Sequence, residues 1–453
     1  MKTFLKAIFI TLLLTILSSC NNEIVSINND DISIITKLPQ VNINTYGSDI
    51  VDEPKIKAEM TVIVDEEIDF IGNIGIEIRG SSSQMFPKKQ FGVETRDANE
   101  EGISVSILGF PDEEDWVLYA PYSDKSLMRN ILIYDLSRDM NRYASRAKFV
   151  EVSINGVYNG LYVFMEKLKR DSNRIDINKL KPDENSGEDL TGGYILKIDK
   201  ASGLDETLYT ITNSITSKYA PNGALSNQKI HFNFDTPKEE DITPEQVDYI
   251  SNFMFDFEDA LAGSNFTDAT EGYRKYIDTE SFIDFFLLNE LSNNVDGYRL
   301  STWLTKDKNE KLKMGPIWDF NLAFGNANYC GGGETNVWAY KFNERCANDL
   351  WQIPFWWDRL LSDPVFVSEL KARWGDLRSG ILSNQAILDK IDNYKSLLIT
   401  SEAAEKNFVV WSVLDKYIWP NNYIGNTYTA EIDYLKNWIQ ERVLWLDVEI
   451  MNL

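Results

Sequence analysis

Histidine is almost absent from this sequence, since the 453 residues include only one, His231. That scarcity excludes most chemistry that depends on histidine, including Ser-His-Asp hydrolysis, Cys-His proteolysis and histidine-rich zinc sites. Any reaction at this protein must therefore use carboxylates, lysines, hydroxyls or a hard metal ion.

Basic residues are also few relative to acidic ones: 45 Lys and Arg stand against 70 Asp and Glu, a formal net charge of −25. This balance argues against nucleic acid as a partner, because binding to a phosphate backbone needs clustered Lys and Arg. Apolar residues are 43% and aromatic residues 12% of the chain, which is typical of a packed globular protein. The length allows roughly two to three domain-sized units.

The first twenty residues have the pattern of an export signal. A basic start is followed by an apolar run over residues 7–17, which is too short for a permanent membrane-spanning helix. The small residues before Cys20 resemble a bacterial lipoprotein signal, so we expect residues 1–19 to be removed and Cys20 to be lipidated. An ordinary secretory signal with an incidental cysteine is the alternative. Residues 20–37 are then a polar tether, and the protein is expected to be exported and lipid-anchored to the cell envelope, at the outer membrane or cell surface.

Two further cysteines, Cys330 and Cys346, complete the total of three. An isolated pair in an exported protein is a candidate disulfide, and two unpaired thiols are the alternative. The segment between them contains three consecutive glycines, which favours a loop.

Hydrophobic periodicity predicts a β-rich first part and a helical last part, hence an α+β fold. Period-two alternation predicts strands over 57–64, 75–79, 89–94, 149–154, 160–164 and 194–198. Asn155-Gly156 is a strong hairpin turn between two of them. Helical spacing predicts helices over 126–140, 244–262 and 279–292, and residues 200–242 are a long insertion or a strand pair.

Tryptophans and other aromatics are dense after residue 350, beginning with Trp351, Trp356 and Trp357. Such density allows a sugar-stacking surface, and with it a glycan-binding or glycan-modifying protein. The helical spacing of these residues favours a buried helical core instead.

The densest concentration of chemically useful residues lies at 290–325. Asp296 lies in an Asn-rich loop after the predicted helix, two short strands are predicted over 300–304 and 312–317, and Asp319 follows directly. A hairpin between the two aspartates returns them to one end, where they can serve as a base and a metal ligand. This layout is that of a protein-kinase active site; ordinary turn chemistry of loop aspartates is the alternative.

The sequence resembles the CotH-type spore-coat kinases, a family of atypical protein-kinase-like proteins, over roughly residues 38–330. The motifs that carry the resemblance are RGSSS at 79–83, PKKQF at 87–91, DWVL at 115–118, Asp124 with Arg129-Asn130, NGVYNGLY at 155–162 with Glu166, NVDGY at 294–298, and WDF at 318–320 with Phe324-Gly325.

The resemblance implies an atypical protein-kinase-like fold. Its β-rich N-terminal lobe would occupy about 38–200 and its catalytic segment about 279–330, with a helical region over 331–453. It also implies ATP as phosphate donor, Mg²⁺ or Mn²⁺ as cofactor, and Ser/Thr hydroxyls of an exported protein as acceptor.

The resemblance further assigns residue roles. Asp296 matches the catalytic aspartate and Asp319 the metal-binding one. The loop at 79–83 takes the place of a glycine-rich loop over the phosphates, with Arg79 adding positive charge.

Three more residues are expected near the nucleotide. Lys88 or Lys89 stands where the phosphate-pairing lysine is expected, and alternation favours Lys89; the alternative is that both flank an edge strand. Glu166 is expected at the nucleotide-binding edge, or else as a surface acid paired with Lys167 or Lys169. Arg129 and Asn130 are expected to open the equivalent of a kinase regulatory helix, or to form a structural salt bridge.

Two positions depart from the family pattern. Ser301 replaces a metal-binding asparagine five residues after Asp296, and Asn321 replaces an acid two residues after Asp319. Both are poorer cation ligands. A catalytically inactive kinase-fold lipoprotein, acting as a binding or assembly module of the cell envelope, is therefore the alternative function.

Overall fold

Seven strands close into a barrel at the start of the described chain. The computed structural model describes residues 37–201 and 207–453, so the predicted signal peptide, the lipidation of Cys20 and nearly all of the tether lie outside the described residues. The barrel strands are β1 (Gln40–Asn44), β2 (Ile56–Val64), β3 (Glu67–Arg79), β4 (Gln90–Arg96), β5 (Asp115–Tyr119), β6 (Ala147–Ile154) and β7 (Val157–Glu166).

The strand order around the barrel is β1-β2-β3-β4-β5-β7-β6, and each of these successive pairs is antiparallel. The barrel closes because β1 also pairs in parallel with β6, with Val41 opposite Val152. The alternating side chains that point inward form an apolar core of their own, which includes Val62, Ile76, Trp116 and Phe164. The closed barrel was not part of the predicted fold, since closure depends on a pairing between strands far apart in sequence.

The predicted turn at Asn155-Gly156 joins β6 to β7. Both residues have positive φ, 51° and 78°, as a two-residue hairpin turn requires. The prediction of a hairpin at this position is confirmed.

A second sheet has the strand order β12-β11-β8-β10-β9. Its strands are β8 (Tyr194–Ile198), β9 (Ser214–Thr216), β10 (His231–Thr236), β11 (Thr302–Lys306) and β12 (Leu312–Met314). The pairing of β9 with β10 confirms the strand-pair interpretation of residues 200–242.

The last two strands are shifted from the predicted 300–304 and 312–317. Ser301 has a left-handed backbone, with φ 47°, so β11 begins only at Thr302. Gly315 has φ 101° and Pro316 lacks an amide N–H, so β12 ends at Met314.

The three predicted helices are present. They are α1 (Arg129–Asp139), α2 (Pro244–Ala262) and α3 (Thr279–Ser292). At the start of α2, the Thr243 hydroxyl accepts from the Gln246 amide and the Gln246 side chain accepts from the Thr243 amide, and these two bonds form a capping box. Helix α3 ends at Asn293, whose left-handed backbone turns the chain toward Asp296.

Helices dominate the chain after residue 339. They are α4 (Phe342–Arg345), α5 (Trp356–Leu360), α6 (Pro364–Arg378), α7 (Asn384–Thr400), α8 (Ala403–Val410) and α9 (Tyr428–Asn452). Trp356 and Trp357 are 0% and 1% exposed and join the large core beneath the second sheet, while Trp351 is half-buried. The burial of Trp356 and Trp357 confirms that this aromatic segment belongs to a helical core and does not form a sugar-stacking surface.

The α+β fold class is confirmed, while the predicted domain boundaries stay a prediction. Within the described residues, no helix has both the length and the apolar character needed to cross a membrane.

Candidate functional site

A polar cavity of about 280 Å³ lies between the end of the barrel, the second sheet and the loops after α3. Three aspartates line it: Asp199, Asp296 and Asp319. The cations that line it are Arg79, Lys197 and Lys200. The predicted catalytic and metal-binding aspartates are thus brought to one cavity with the predicted phosphate loop.

Asp296 is held by one of its two carboxylate oxygens. Its Oδ1 accepts from Arg299 Nη2 at 2.7 Å and from the Tyr329 hydroxyl at 3.4 Å, and Arg299 is itself fixed by the Val295 carbonyl and by Asp349. Within the described chain, Oδ2 has no hydrogen-bond partner. The side chain is 20% exposed, so this oxygen is available to a group in the cavity.

Asp319 has a strained backbone that α1 holds in place. Its φ is 64°, a left-handed value that a non-glycine residue adopts at a cost. Its amide donates to the Tyr134 hydroxyl at 3.1 Å, and the next amide, of Phe320, donates to Asn130 Oδ1 at 2.7 Å. The conformation of this turn is therefore determined by side chains from α1.

The carboxyl group of Asp319 has no hydrogen-bond partner among the described residues. Its pKa is raised to about 7, mainly by burial and also by the charges of Asp296 and Asp199, while Arg79 opposes the shift. Several carboxyl groups close together raise the free energy of ionising each one, and a bound cation lowers it. A raised carboxyl pKa is therefore typical of a cation site that is considered without its cation.

Asp199 is a site residue that sequence reasoning missed. It follows β8 directly and accepts from the Lys200 amide at 2.9 Å. Burial raises its pKa, and Asp296 adds to this effect, while Lys197 and the amides of Lys200 and Ser301 oppose it. The available signal was an acid placed immediately after a correctly predicted strand.

The predicted phosphate loop forms one wall of the cavity. Gly80 has φ 100°, a backbone that favours glycine, and Gln84 Nε2 donates to its carbonyl at 2.7 Å. The Arg79 guanidinium lies 5.5 Å from the centre of the Trp318 ring, and Lys200 Nζ donates to Ser81 Oγ at 3.2 Å. The loop is thereby attached to the second sheet.

Lys88 and Lys89 do not line the cavity. Lys88 is 1% exposed, and its Nζ donates to the Leu161 carbonyl at 2.5 Å and to Asn407 Oδ1 at 2.8 Å. Lys89 Nζ donates to the Gln84 carbonyl. Strand β4 begins only at Gln90, which does line the cavity. The two lysines precede the strand, so the in-and-out alternation of strand side chains did not apply to them. Their positions give no support to a nucleotide-binding role.

Glu166 does not line the cavity either. It is fully buried at the end of β7 and pairs with Arg146 at 2.8 Å, while the Tyr143 hydroxyl donates to it at 3.1 Å. Lys167 and Lys169, its expected partners in the alternative account, pair with acids in the 113–115 segment instead. Glu166 is thus the shared acidic partner of Arg146 and of the buried Arg174.

Arg129 forms the structural salt bridge that was the alternative for this position. Its Nη1 lies 2.5 Å from Asp124, and both side chains are buried. The same guanidinium donates to the carbonyls of Ala323 and Phe324. The start of α1 is therefore attached to the segment that follows Asp319.

Ser301 and Asn321, the two departures from the family pattern, both line the cavity. With the three aspartates they make a set of oxygen donors, the ligand chemistry that Mg²⁺ and Mn²⁺ prefer. The chemistry of these residues suits a hard divalent cation, but the three aspartates do not converge on one point: among the described residues, the acidic group whose oxygens all lie within 4.8 Å of one another is Glu113, Glu114 and Asp115.

An aromatic pair and a disulfide lie beside the Asp296 side of the cavity. Tyr329, next to Asp296, stacks on Trp419 with ring centres 6.2 Å apart. Cys330 is bonded to Cys346, which confirms the predicted pair. Asn293 Nδ2 donates to the carbonyls of Gly331 and Glu334, so the disulfide loop is attached to the end of α3.

Most of the chain is similar to a known protein family. A model described as CotH kinase protein matches residues 76–446, which is most of the chain and contains every cavity residue named above. The match continues past residue 330, where the recognised motifs end, into the C-terminal helices. No curated protein matches the chain.

Proposed function

Because the chain belongs to the CotH kinase family, we propose that it is a metal-dependent phosphotransferase that moves phosphate from ATP to Ser or Thr hydroxyls of an exported protein. The observation that carries this proposal is the meeting of Asp199, Asp296 and Asp319 with Arg79 in one cavity under a serine-rich loop. In this proposal the barrel acts as the N-terminal lobe of a kinase-like arrangement and the helical part as its C-terminal lobe.

The cation would be held by Asp319 with help from Asp199 and Asn321. When bound, Mg²⁺ or Mn²⁺ neutralises negative charge on the transferring phosphate. The unpaired carboxyl group of Asp319, with its raised pKa, supports this assignment, since a nearby positive charge relieves the cost of ionising it.

Asp296 orients the acceptor hydroxyl and accepts its proton. As the bond from the acceptor oxygen to phosphorus forms, the bond between phosphorus and the leaving ADP breaks. Arg299 and Tyr329 hold Oδ1 of Asp296, which leaves Oδ2 to face the acceptor. Arg79 and the backbone of the 80–83 loop contact the donor phosphates.

We also propose that the protein acts at the cell envelope, held by a lipid on Cys20. This location requires that nucleotide be carried across the membrane, or that the acceptor be modified before or during its export. The acidic chain, with net charge −25, favours protein over nucleic acid as partner.

The first test is titration calorimetry of the full chain with ATP in the presence of Mg²⁺ or Mn²⁺. We expect metal-dependent binding that falls by at least ~100-fold in D319A, because a hard cation loses its main carboxylate ligand. D433A, which removes an exposed acid of α9, is the matched control and should bind as the wild type does. Absence of binding at millimolar nucleotide would contradict the proposal.

A catalytically inactive envelope module is the second candidate, favoured by Ser301 and Asn321 in place of stronger ligands. It predicts that D296N leaves the cellular role of the protein intact, whereas the phosphotransferase predicts that the role is lost.

A further inference from the structure

The two side chains that hold Asp296 are joined to each other through the disulfide. Tyr329, whose hydroxyl donates to Oδ1 of Asp296 at 3.4 Å, directly precedes Cys330. Arg299, which donates to the same oxygen at 2.7 Å, also donates to Asp349 Oδ1 at 3.2 Å. Tyr329 and Asp349 lie just outside the loop that the disulfide closes, one on each side. Both therefore lead to the same carboxylate oxygen.

A backbone hydrogen bond links Asp349 back to the disulfide. The Asp349 amide donates to the Cys346 carbonyl at 3.0 Å, and Gln352 Nε2 donates to the same carbonyl at 3.0 Å. Cys346 is bonded to Cys330. These contacts close a ring that begins and ends at Oδ1 of Asp296. The members of this disulfide ring are Asp296, Tyr329, Cys330, Cys346, Asp349 and Arg299.

Opening the disulfide should loosen this ring without unfolding the loop inside it. Arg345 Nε donates to the Cys330 carbonyl at 2.9 Å, and Asn293 Nδ2 donates to the Gly331 carbonyl at 2.8 Å. These bonds do not depend on the disulfide, so the loop keeps its attachment to the end of α3. The loss is the covalent link that fixes the two sides of the ring relative to each other. Misplacement of a reacting group by about 1 Å can lower a rate ~100-fold.

The disulfide is accessible to a small reductant, since Cys330 and Cys346 are both half-buried. Exchange with a dithiol breaks the S–S bond and transfers two electrons and two protons to the protein. Both cysteines become thiols, and the dithiol is oxidised to a disulfide.

We propose that the Cys330–Cys346 disulfide is a positioning element for Asp296, and that phosphotransfer is faster in the oxidised than in the reduced protein. This inference rests on the proposed function, in that it takes Asp296 to orient the acceptor hydroxyl. It adds a form of regulation, through the redox state of two cysteines that do not line the cavity. Because disulfides persist in oxidising compartments and are reduced in the cytosol, the chain outside the cytosol is the more active form.

The test compares the oxidised full-length wild type, the same protein reduced with dithiothreitol, and C330S/C346S. Phosphate transfer from ATP to casein measures turnover, and calorimetry with Mg²⁺ and ATP measures donor binding. We expect the reduced wild type and C330S/C346S to turn over about tenfold more slowly. ATP affinity should be unchanged, because α1 and not the ring holds Asp319. C330S/C346S retains Cys20 and should not respond to dithiothreitol, which controls for reduction elsewhere.

Hydrogen exchange of the wild type gives a measurement that needs neither activity nor a variant that folds. We expect the backbone amides of residues 294–299 to exchange several-fold faster after reduction, and those of residues 318–320 to be unchanged. Equal exchange at 294–299, or equal turnover, in the two redox states would overturn the inference. Faster exchange throughout the chain together with weaker ATP binding would also overturn it, because the disulfide would then support the whole structure.

D349A opens the ring on its other side and tests whether the disulfide acts through it. We expect slower turnover at unchanged ATP affinity, and reduction should slow D349A by less than it slows the wild type, because changes within one network are not additive. A further tenfold loss on reduction would show that the disulfide acts by another route. If no phosphate reaches casein, exchange at residues 294–299 decides the positioning alone, whereas absence of ATP binding removes the proposed function itself.

Discussion

Asp319 combines two features that each cost stability, a left-handed backbone and a carboxyl group without a hydrogen-bond partner in the described chain. Side chains of α1 impose the first, through Tyr134 and Asn130. Such costs persist where the surrounding structure enforces them, and they are commonly found at functional sites. These costs are what the proposed cation-binding role of Asp319 would account for.

Asn321 offers a gain-of-function prediction at the same site. We expect N321D to bind Mn²⁺ about tenfold more tightly than the wild type, because a carboxylate replaces an amide among the oxygen ligands. Calorimetry with Mn²⁺ measures the change.

The same substitution in a D319A background is the control, and there the gain should largely disappear. A full gain in that background would show that Asp319 and residue 321 do not share a cation.

A site residue could be predicted from the sequence when the residues that it meets in the cavity are close to it along the chain. Asp296 and Asp319 were predicted because a short hairpin joins them. Asp199 was missed because it is brought near Asp296 only by the pairing of β8 with β11. These two strands are far apart in the sequence, so no local pattern links the two aspartates. Lys89 was favoured on the assumption that the strand had already begun, although β4 begins at Gln90.

Helices α2 and α3 show how far local rules reach at the level of elements. Their bounds were predicted to the residue, since the capping box at Thr243 and the apolar run before Ser292 are contained within the elements themselves. The barrel was not predicted, because β1 meets β6 by a parallel pairing that leaves no mark on either strand's pattern.

Glu258, on α2, gives a pH-dependent prediction. It is 0% exposed and accepts from Ser217 Oγ and Trp356 Nε1. Burial raises its pKa from 4.5 to about 7. The folded state therefore holds this proton more tightly than the unfolded state, so the ionised group costs stability, and the cost grows as pH rises from roughly 4 to 7.

We expect E258Q to be more stable than the wild type by about 2 kcal/mol at pH 8, with the gain shrinking toward zero near pH 4, since the amide needs no ionisation. Denaturant unfolding at pH 5 and pH 8 measures it. E240Q, which changes an exposed acid, should show no such trend, and an equal gain at both pH values for E258Q would contradict the explanation.

At the scale of the whole molecule, the last helix is attached to α3, the helix that precedes the Asp296 loop. Arg442 of α9 and Glu290 of α3 are both fully buried and 3.1 Å apart. Arg442 also donates to the carbonyls of Thr335 and Val337 in the disulfide loop. No local pattern predicts this attachment, because the two partners are separated by 152 residues.

Breaking this pair should be costly. We expect R442M to lose about 3–5 kcal/mol of unfolding free energy, because Glu290 is left buried without its counter-charge. The double variant E290M/R442M should recover part of that loss, and denaturant unfolding measures both.

R378M, at the end of α6, is the comparison, since it breaks a pair with Asp447 of α9 that is 38% exposed, and it should cost less than about 1 kcal/mol. A similar loss in R442M and R378M would show that burial of the pair does not determine its contribution.

The closed barrel has a consequence for how this protein meets other chains. A cylinder of strands presents no free edge, so a neighbouring polypeptide cannot extend it by β-augmentation. The second sheet ends in β9 and β12, each of three residues, and three residues make a poor template for strand addition. Another polypeptide that contacts these two sheets must therefore be held by side chains and not by strand pairing.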